Sequence, residues 1–445
     1  MRPGPGGVTN RLRKSPPAKA GDLLPRLWRA SADGHQYDAL VKSPPLDRFL
    51  LGPERVLWAA DGVAPLNFCV VVELEGPLTI GALRMGLRAA QRRHGALQCG
   101  VALVDDRPRF VPVEEPIAVS LITSPSWTPQ LVGELDTAFD VARGPLLRVR
   151  WIRGGEVEVL LFTFHHAVAD GRSGMVIATE VLATAAARLR GAPLPVYPPP
   201  QLLVPEGSES APHPTSPVPR LVDGGQGPRG RRTLVLTHRF GLDETVGLRT
   251  AARRLGATVH GLLCATHLAA VAEEHGHSVP LLLSCPADLR SGHPGAEDAI
   301  GVLLGNWLQA YRVDPHRGVP SLAVRISSDI RRAVERGLHW PAESGPVDLE
   351  ALYAARASTA VSNLGVVRFP AVNAPLVVHG VHFAVACSAL GDQIVTATTF
   401  AGRLTWSFCA STPTLSPSRA RRIAGGSIER LSKISGRWRT GGNGT

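Results

Sequence analysis

The chain has 445 residues, 44 % hydrophobic and 19 % charged, with a formal net charge of +11. That length is too great for one ordinary core and predicts two or three domains, and the composition excludes a disordered or fibrous chain. The positive balance favours acidic partners, whether phosphorylated small molecules, carrier proteins or nucleic acid, without choosing among them.

Residues 1–45 are rich in Pro, Gly and basic residues and lack periodicity, which predicts a disordered basic arm. Residues 68–74 form a β-branched apolar run and predict a buried strand. Thr79 opens an amphipathic helix over 80–94, with Leu83, Leu87 and Ala90 on one face. Two strands are predicted over 146–152 and 157–164, joined at Gly154 and Gly155, and the second runs into His165 and His166. A helix is expected over 175–189. Residues 191–232 contain Pro198, Pro199 and Pro200 and predict a linker or crossover.

Beyond it, strand 233–240, helices 243–255 and 259–274, strand 280–285 and helix 321–336 follow. Strands over 376–386 and within 393–408, a basic helix over 418–434 and a disordered tail over 435–445 complete the chain. Strands alternate with helices on both sides of the linker, so the expected fold is α/β (α+β), with subdomains over 46–190 and 233–434.

The cysteines Cys69, Cys99, Cys264, Cys285, Cys387 and Cys409 are scattered without a C-x-x-C pair. They predict small core residues in a reducing, cytoplasmic setting rather than disulfides or a metal site. Cys285 and Cys387 have no signature of nucleophilic catalysis beside them, and His94, His260 and His267 are assigned to packing or capping. No apolar run approaches the roughly 20 residues that span a bilayer, and the basic N-terminus lacks the apolar stretch of a secretory signal.

The segment carrying chemistry is Phe164-His165-His166-Ala167-Val168-Ala169-Asp170-Gly171. Histidine is the side chain that is neutral near pH 7 and still accepts a proton. Neighbouring side chains on an extended segment alternate, so one histidine faces the reaction and the other the scaffold. Asp170 either orients an imidazole or pairs with a distant cation, and Gly171 permits the turn. His165, His166 and Asp170 are also candidate metal ligands, but adjacent histidines rarely share an ion and no further ligands cluster with them, so no metal is assigned.

His165-His166-x-x-x-Asp170-Gly171 resembles the motif of the superfamily that holds chloramphenicol acetyltransferases, nonribosomal peptide condensation domains, plant BAHD acyltransferases and wax ester synthases. Further likenesses follow in the family's order: Gly76-Pro77-Leu78 with Arg92-Arg93-His94, Phe139-Asp140 with Gly144-Pro145-Leu146-Leu147-Arg148, and Thr258-Val259-His260-Gly261-Leu262-Leu263. Pro286-Ala287-Asp288-Leu289-Arg290 with Gly305-Asn306, then Ser362-Asn363-Leu364-Gly365, complete them. The chain departs from the family at Gly95, Ala287 and Ser291 and lacks the plant Asp-Phe-Gly-Trp-Gly motif. The branch it resembles most is that of free-standing bacterial acyltransferases of phthiocerol dimycocerosyl transferase and alcohol acetyltransferase type.

The resemblance implies two chloramphenicol-acetyltransferase-like subdomains in a V around a central tunnel, complete in a monomer. It implies transfer of an acyl group from coenzyme A or a carrier protein's phosphopantetheine to a hydroxyl of a lipid or natural product. No covalent cofactor and no acyl-enzyme are expected. His166 is then the general base, Asp170 pairs with Arg290 in a structural role, and His165 and Gly171 support the loop. Ser362 and Asn363 either line the oxyanion side of the tunnel or merely form the turn before Gly365. A free-standing amide-forming condensation enzyme and a non-catalytic carrier-recruiting module are the alternatives. Nucleic-acid binding lacks a motif or aromatic interleaving on a basic stripe.

Overall fold

The computed structural model describes residues 42–198, 200, 221, 223, 230–336, 347–348, 357–369, 375–389 and 391–436. Most of the predicted arm, linker and tail lies outside these residues.

In chain order the first half comprises β1 (Arg48–Phe49), α1 (Gly52–Asp61), β2 (Asn67–Glu75), α2 (Ile80–Arg93), β3 (Cys99–Val104), β4 (Arg107–Pro112), β5 (Ala118–Thr123), α3 (Thr128–Asp136), β6 (Leu147–Arg153), β7 (Glu158–His165) and α4 (Gly171–Leu189). The second comprises β8 (Arg232–Arg239), α5 (Leu242–Leu255), α6 (Val259–His275), β9 (Val279–Asp288), β10 (Leu304–Val313), α7 (Val319–Glu335), β11 (Thr359–Val366), β12 (Val377–Val385), β13 (Gln393–Phe400), β14 (Arg403–Thr412) and α8 (Pro417–Gly436). One sheet runs β12-β2-β7-β6-β5 and another β10-β9-β11-β13-β14-β8, with a small β1-β4-β3 sheet beside them.

The apolar run in β2 reflects its place inside the sheet, between β12 and β7. Phe68, Val70, Val72 and Leu74 pack in the cluster that holds α2 and α4. Cys69 and Val71 pack on the other face, with Leu131 and Leu135 of α3, Val235 of β8 and Cys409 of β14. Both faces of a period-2 strand are therefore dry, and no alternation survives in the sequence. Helices α2 and α4 touch at Gly86, where a Cβ would sit 2.3 Å from the Val181 carbonyl oxygen.

The structure differs from the predicted elements in three places. The strand predicted over 376–386 was placed with the second subdomain, but β12 pairs antiparallel with β2 of the first, Val381 opposite Val72. Its hydrogen-bonding edge is complementary to β2, and nothing in its own residues names that partner. Helix α4 begins at Gly171 rather than 175, because Asp170 caps it. Order also extends past both predicted limits. Ser43 N–H donates to the Arg92 carbonyl at 3.0 Å, and buried Ser435 in α8 donates its hydroxyl to the Glu244 carbonyl at 2.8 Å.

Helix α6 is buried on nearly every side in the second core. Among the described residues no single helix is long and apolar enough to cross a membrane. Only α5 and α6 taken together have the length and composition, and they bend by 95° at their junction.

Candidate active site

Strand β7 ends at His165, and its pairing with β2 sets His165 opposite Asn67. The two histidines then diverge, as alternation requires. His165 is wholly buried. Its Nδ1 accepts from the Ala167 N–H at 3.1 Å, its Nε2 lies 3.3 Å from Asp61 Oδ2, and the Phe139 ring meets it edge-on. The Nε2 to Asp61 contact is close enough for an ion pair but is not aligned as a hydrogen bond.

His166 is half-buried. Its Nδ1 lies 3.0 Å from the Ala169 carbonyl oxygen. A carbonyl only accepts, so Nδ1 carries the proton and Nε2 is left as the acceptor. The Phe68 ring flanks the imidazole at 5.1 Å. Burial holds the His166 pKa below its ordinary value, against the raising pull of its own backbone hydrogen bond and of the Asp170 charge. The imidazole is therefore neutral near pH 7, as a proton acceptor must be.

Asp170 makes no hydrogen bond to His166; its oxygens are taken elsewhere. Oδ1 accepts from the Ser173 N–H at 2.8 Å and hydroxyl at 2.9 Å and from Arg290 Nη2 at 3.0 Å. Oδ2 accepts from Arg290 Nη1 at 2.9 Å and from the Leu303 N–H at 2.9 Å. Burial would raise this carboxyl, but the Arg290 charge and these donors hold it below the usual carboxylate range. Arg290 also donates to the Ala299 carbonyl at 2.9 Å, to Asp288 Oδ1 at 2.9 Å and to Ser173 Oγ at 2.8 Å.

The structure thus brings Asp170 and Arg290 together and leaves His166 free on Nε2. It disperses the three candidate metal ligands of the motif: His165 is turned toward Asp61, His166 toward Ala169 and Asp170 toward Arg290. Gly171 is the first residue of α4, where an added Cβ would meet the Leu364 side chain at 3.3 Å.

Ser362 and Asn363 lie on β11 in the other sheet. The Asn363 Oδ1 accepts from the Gly365 N–H at 2.8 Å, and Gly365 sits at φ +69°, so the turn role is visible. Any contact to an oxyanion from Asn363 falls to Nδ2, its side-chain donor.

Sequence reasoning did not identify Ser173, Asp288, Ala299 and Leu303 as parts of this clamp, nor Gly301, whose carbonyl accepts from the Asp170 N–H at 3.0 Å and whose N–H donates to Ser173 Oγ at 3.1 Å. The Ser173 N–H had a signal, since an Asp just before a helical run is a helix N-cap pattern and Ser173 stands three residues after Asp170. The carbonyls and N–H groups of 299–303 had none, because backbone groups carry no sequence mark. His94 contacts Glu180 at 2.8 Å in a buried group with Arg93 that ties α2 to α4. His267 bridges Ser427 and Thr359 at 3.1 and 2.9 Å.

Residues 231–408 match the family model described as the phthiocerol/phthiodiolone dimycocerosyl transferase C-terminus. Over 162 residues, 33 % of this chain, the sequence is 32 % identical to chondramide synthase of Chondromyces crocatus, of which that stretch spans only 4 %. The fold superposes on polyketide synthase associated protein 5 from Mycobacterium tuberculosis with a TM-score of 0.64 and 17 % identity, covering 89 % of this chain and 100 % of that one. The first condensation domain of the CDA synthetase gives a TM-score of 0.67 at 14 % identity, covering 89 % and 98 %. At those identities the solved structures establish the fold shared by both groups, and the sequence matches point the same way.

Proposed function

We propose that this chain, a relative of the acyltransferases and condensation domains, transfers an acyl group from a thioester to an acceptor hydroxyl, with His166 as general base. The observation that carries the proposal is the His166 Nδ1–H bond to the Ala169 carbonyl, which leaves Nε2 unprotonated on a neutral ring.

The acceptor hydroxyl gives its proton to His166 Nε2 as its oxygen forms a bond to the thioester carbonyl carbon. The carbonyl π pair moves onto oxygen, and Ser362 and Asn363 Nδ2 are the candidate donors to it. The pair returns, the C–S bond breaks, and the leaving thiolate takes the proton back from the imidazolium. An ester and a thiol result, and no acyl-enzyme forms. Asp170 and Arg290 position the loop through the bidentate clamp and do not handle the proton.

The donor is coenzyme A or a phosphopantetheinyl carrier protein. Either brings phosphate to a chain of formal charge +11. The hydroxyl acceptor follows the matched model, whose name is that of a dimycocerosyl transferase. Amide formation is the second reading, favoured by the likeness to chondramide synthase. Incubating the chain with paired panels of acyl thioesters and of alcohols or amines, with products read by mass spectrometry, decides between them. Products with amines alone overturn the ester reading, and no transfer from any thioester overturns both.

A further inference from the structure

One group of chemically able side chains lies apart from the His166 loop. His260 and Cys264 stand one turn apart in the first turns of α6, at the i, i+4 spacing that puts both on one face. Cys285 lies on β9 beneath them. The Cys264 Sγ is 3.5 Å from His260 Nε2 and 3.8 Å from Cys285 Sγ, and all three atoms lie within 4.8 Å of one another.

A zinc ion with bonds of ~2.3 Å to sulfur and ~2.0–2.1 Å to nitrogen, at tetrahedral angles, separates two sulfurs by about 3.8 Å and sulfur from nitrogen by about 3.5 Å. The two edges from Cys264 match those values, and the His260–Cys285 edge lies within 4.8 Å. The surroundings agree. Cys264 and Cys285 are buried, and half-buried His260 marks the side from which an ion enters.

We propose that His260, Cys264 and Cys285 bind one zinc ion, with the fourth position open to water. Two thiolates and an imidazole suit this ion by softness and geometry, and binding releases the two thiol protons to solvent. The scaffold holds the ligands in place. The Thr258 hydroxyl caps α6 by accepting from the Gly261 N–H at 2.9 Å, and the Thr258 N–H donates to Ser327 Oγ of α7 at 2.9 Å. A Cβ on Gly261 would lie 2.1 Å from that same Ser327 Oγ, so α6 and α7 are in close contact here. The ion would tie α6 to β9 three residues before Asp288, which itself holds Arg290. It would thus stiffen the strand that delivers the clamp to the His166 loop.

The test uses the full chain, purified under reducing conditions, stripped with a chelator and titrated with cobalt(II) and then zinc. We expect thiolate-to-cobalt charge-transfer absorption that saturates at one equivalent and is displaced by zinc, with a rise in Tm. Losing a residue that only hydrogen-bonds to a ligand weakens metal binding about 10–100-fold, so Cys264→Ser and Cys285→Ser, which remove ligands, should each weaken cobalt binding by about 100-fold or more. Cys69→Ala should leave it unchanged. If the ligand variants fail to fold, alkylation of the unmutated chain decides instead, because zinc must protect Cys264 and Cys285 from a thiol reagent. Absence of both charge transfer and protection overturns the site. So does undiminished binding in a folded Cys264→Ser/Cys285→Ser chain, or a Cys264–Cys285 disulfide that survives purification under reductant.

Discussion

Arg290, from the second half of the chain, closes both arms of its guanidinium on both oxygens of Asp170, from the first, at 2.9 and 3.0 Å. The pair is buried and fully hydrogen-bonded, so its value lies in what either charge costs when stranded. Asp170→Ala and Arg290→Ala should each destabilise the chain by about 3–5 kcal/mol. A double-mutant cycle by chemical denaturation should show coupling of about 1–3 kcal/mol. Arg290→Lys should not restore stability, because an ammonium cannot span two carboxylate oxygens as the fork does. Additive single effects would contradict the clamp.

The two adjacent histidines should separate cleanly in their effects. His166→Ala is expected to lower kcat by about a hundredfold or more, the scale of a lost general base, with Tm little changed, since the ring is half-buried and holds one backbone carbonyl. His165→Ala removes a wholly buried ring packed against Phe139 and Asp61, so its loss should appear first in Tm. Turnover near the unmutated level in a folded His166→Ala chain would remove His166 from the role of base.

The sequence carried this site unevenly. Residues 68–74 were legible because a strand dry on both faces writes an unbroken apolar run. The helix over 80–94 was legible because only one of its faces is buried. Strand β5 was not, for Ala118 to Thr123 lie at a sheet edge with mostly exposed side chains and no pattern. The short α3 carries Pro129 and Gly133, which mask its period. The Asp170–Arg290 pairing came from resemblance and not from spacing, since 120 residues separate them. The i, i+4 relation of His260 and Cys264 is in the sequence, but the pairing that brings Cys285 beneath them is a property of the fold.

Helix contact at Gly86 makes a prediction by contrast. A Cβ there would stand 2.3 Å from the Val181 carbonyl oxygen, 3.0 Å from its carbon and 3.1 Å from its Cα, all backbone. Neither helix can yield cheaply, so Gly86→Ala should destabilise by about 1–3 kcal/mol or more, the cost of overpacking. At Gly133, inside α3, nothing lies within 4 Å of an added Cβ. Gly133→Ala should stabilise by about 0.4–1 kcal/mol, because alanine has less backbone freedom to lose on folding. Thermal melts of the two variants beside the parent check both signs, and equal shifts would contradict the packing account.

Stability should also fall as the solution is acidified from neutrality, and the buried histidines set the window. His267 and His382 are wholly buried, and burial holds each near a pKa of about 3; for His382 the nearby Arg239 charge adds to the lowering. An unfolded histidine titrates near 6.5. The folded value lies below the unfolded one, so the unfolded chain takes up protons that the folded chain refuses. The contribution is intact above ~6.5 and is lost as pH falls from there toward about 3. The slope reaches about 1.4 kcal/mol per pH unit for each histidine. Between pH ~7 and ~5 the exposed carboxylates stay mostly ionised, so denaturation midpoints there isolate the imidazoles. His382 makes the sharper test. Neither of its ring nitrogens has a hydrogen-bond partner among the described residues; Glu73 stands 3.8 Å from its Nδ1, and the Trp127 ring lies 5.5 Å away. An apolar side chain of similar size therefore gives up little at pH 7.5 and removes one titrating group. His382→Leu should flatten the fall by up to about 1.4 kcal/mol per pH unit, most fully near pH ~5, and leave the chain more stable than the parent there. An unchanged slope would mean that His382 is protonated in the folded chain, paired with Glu73 despite its burial.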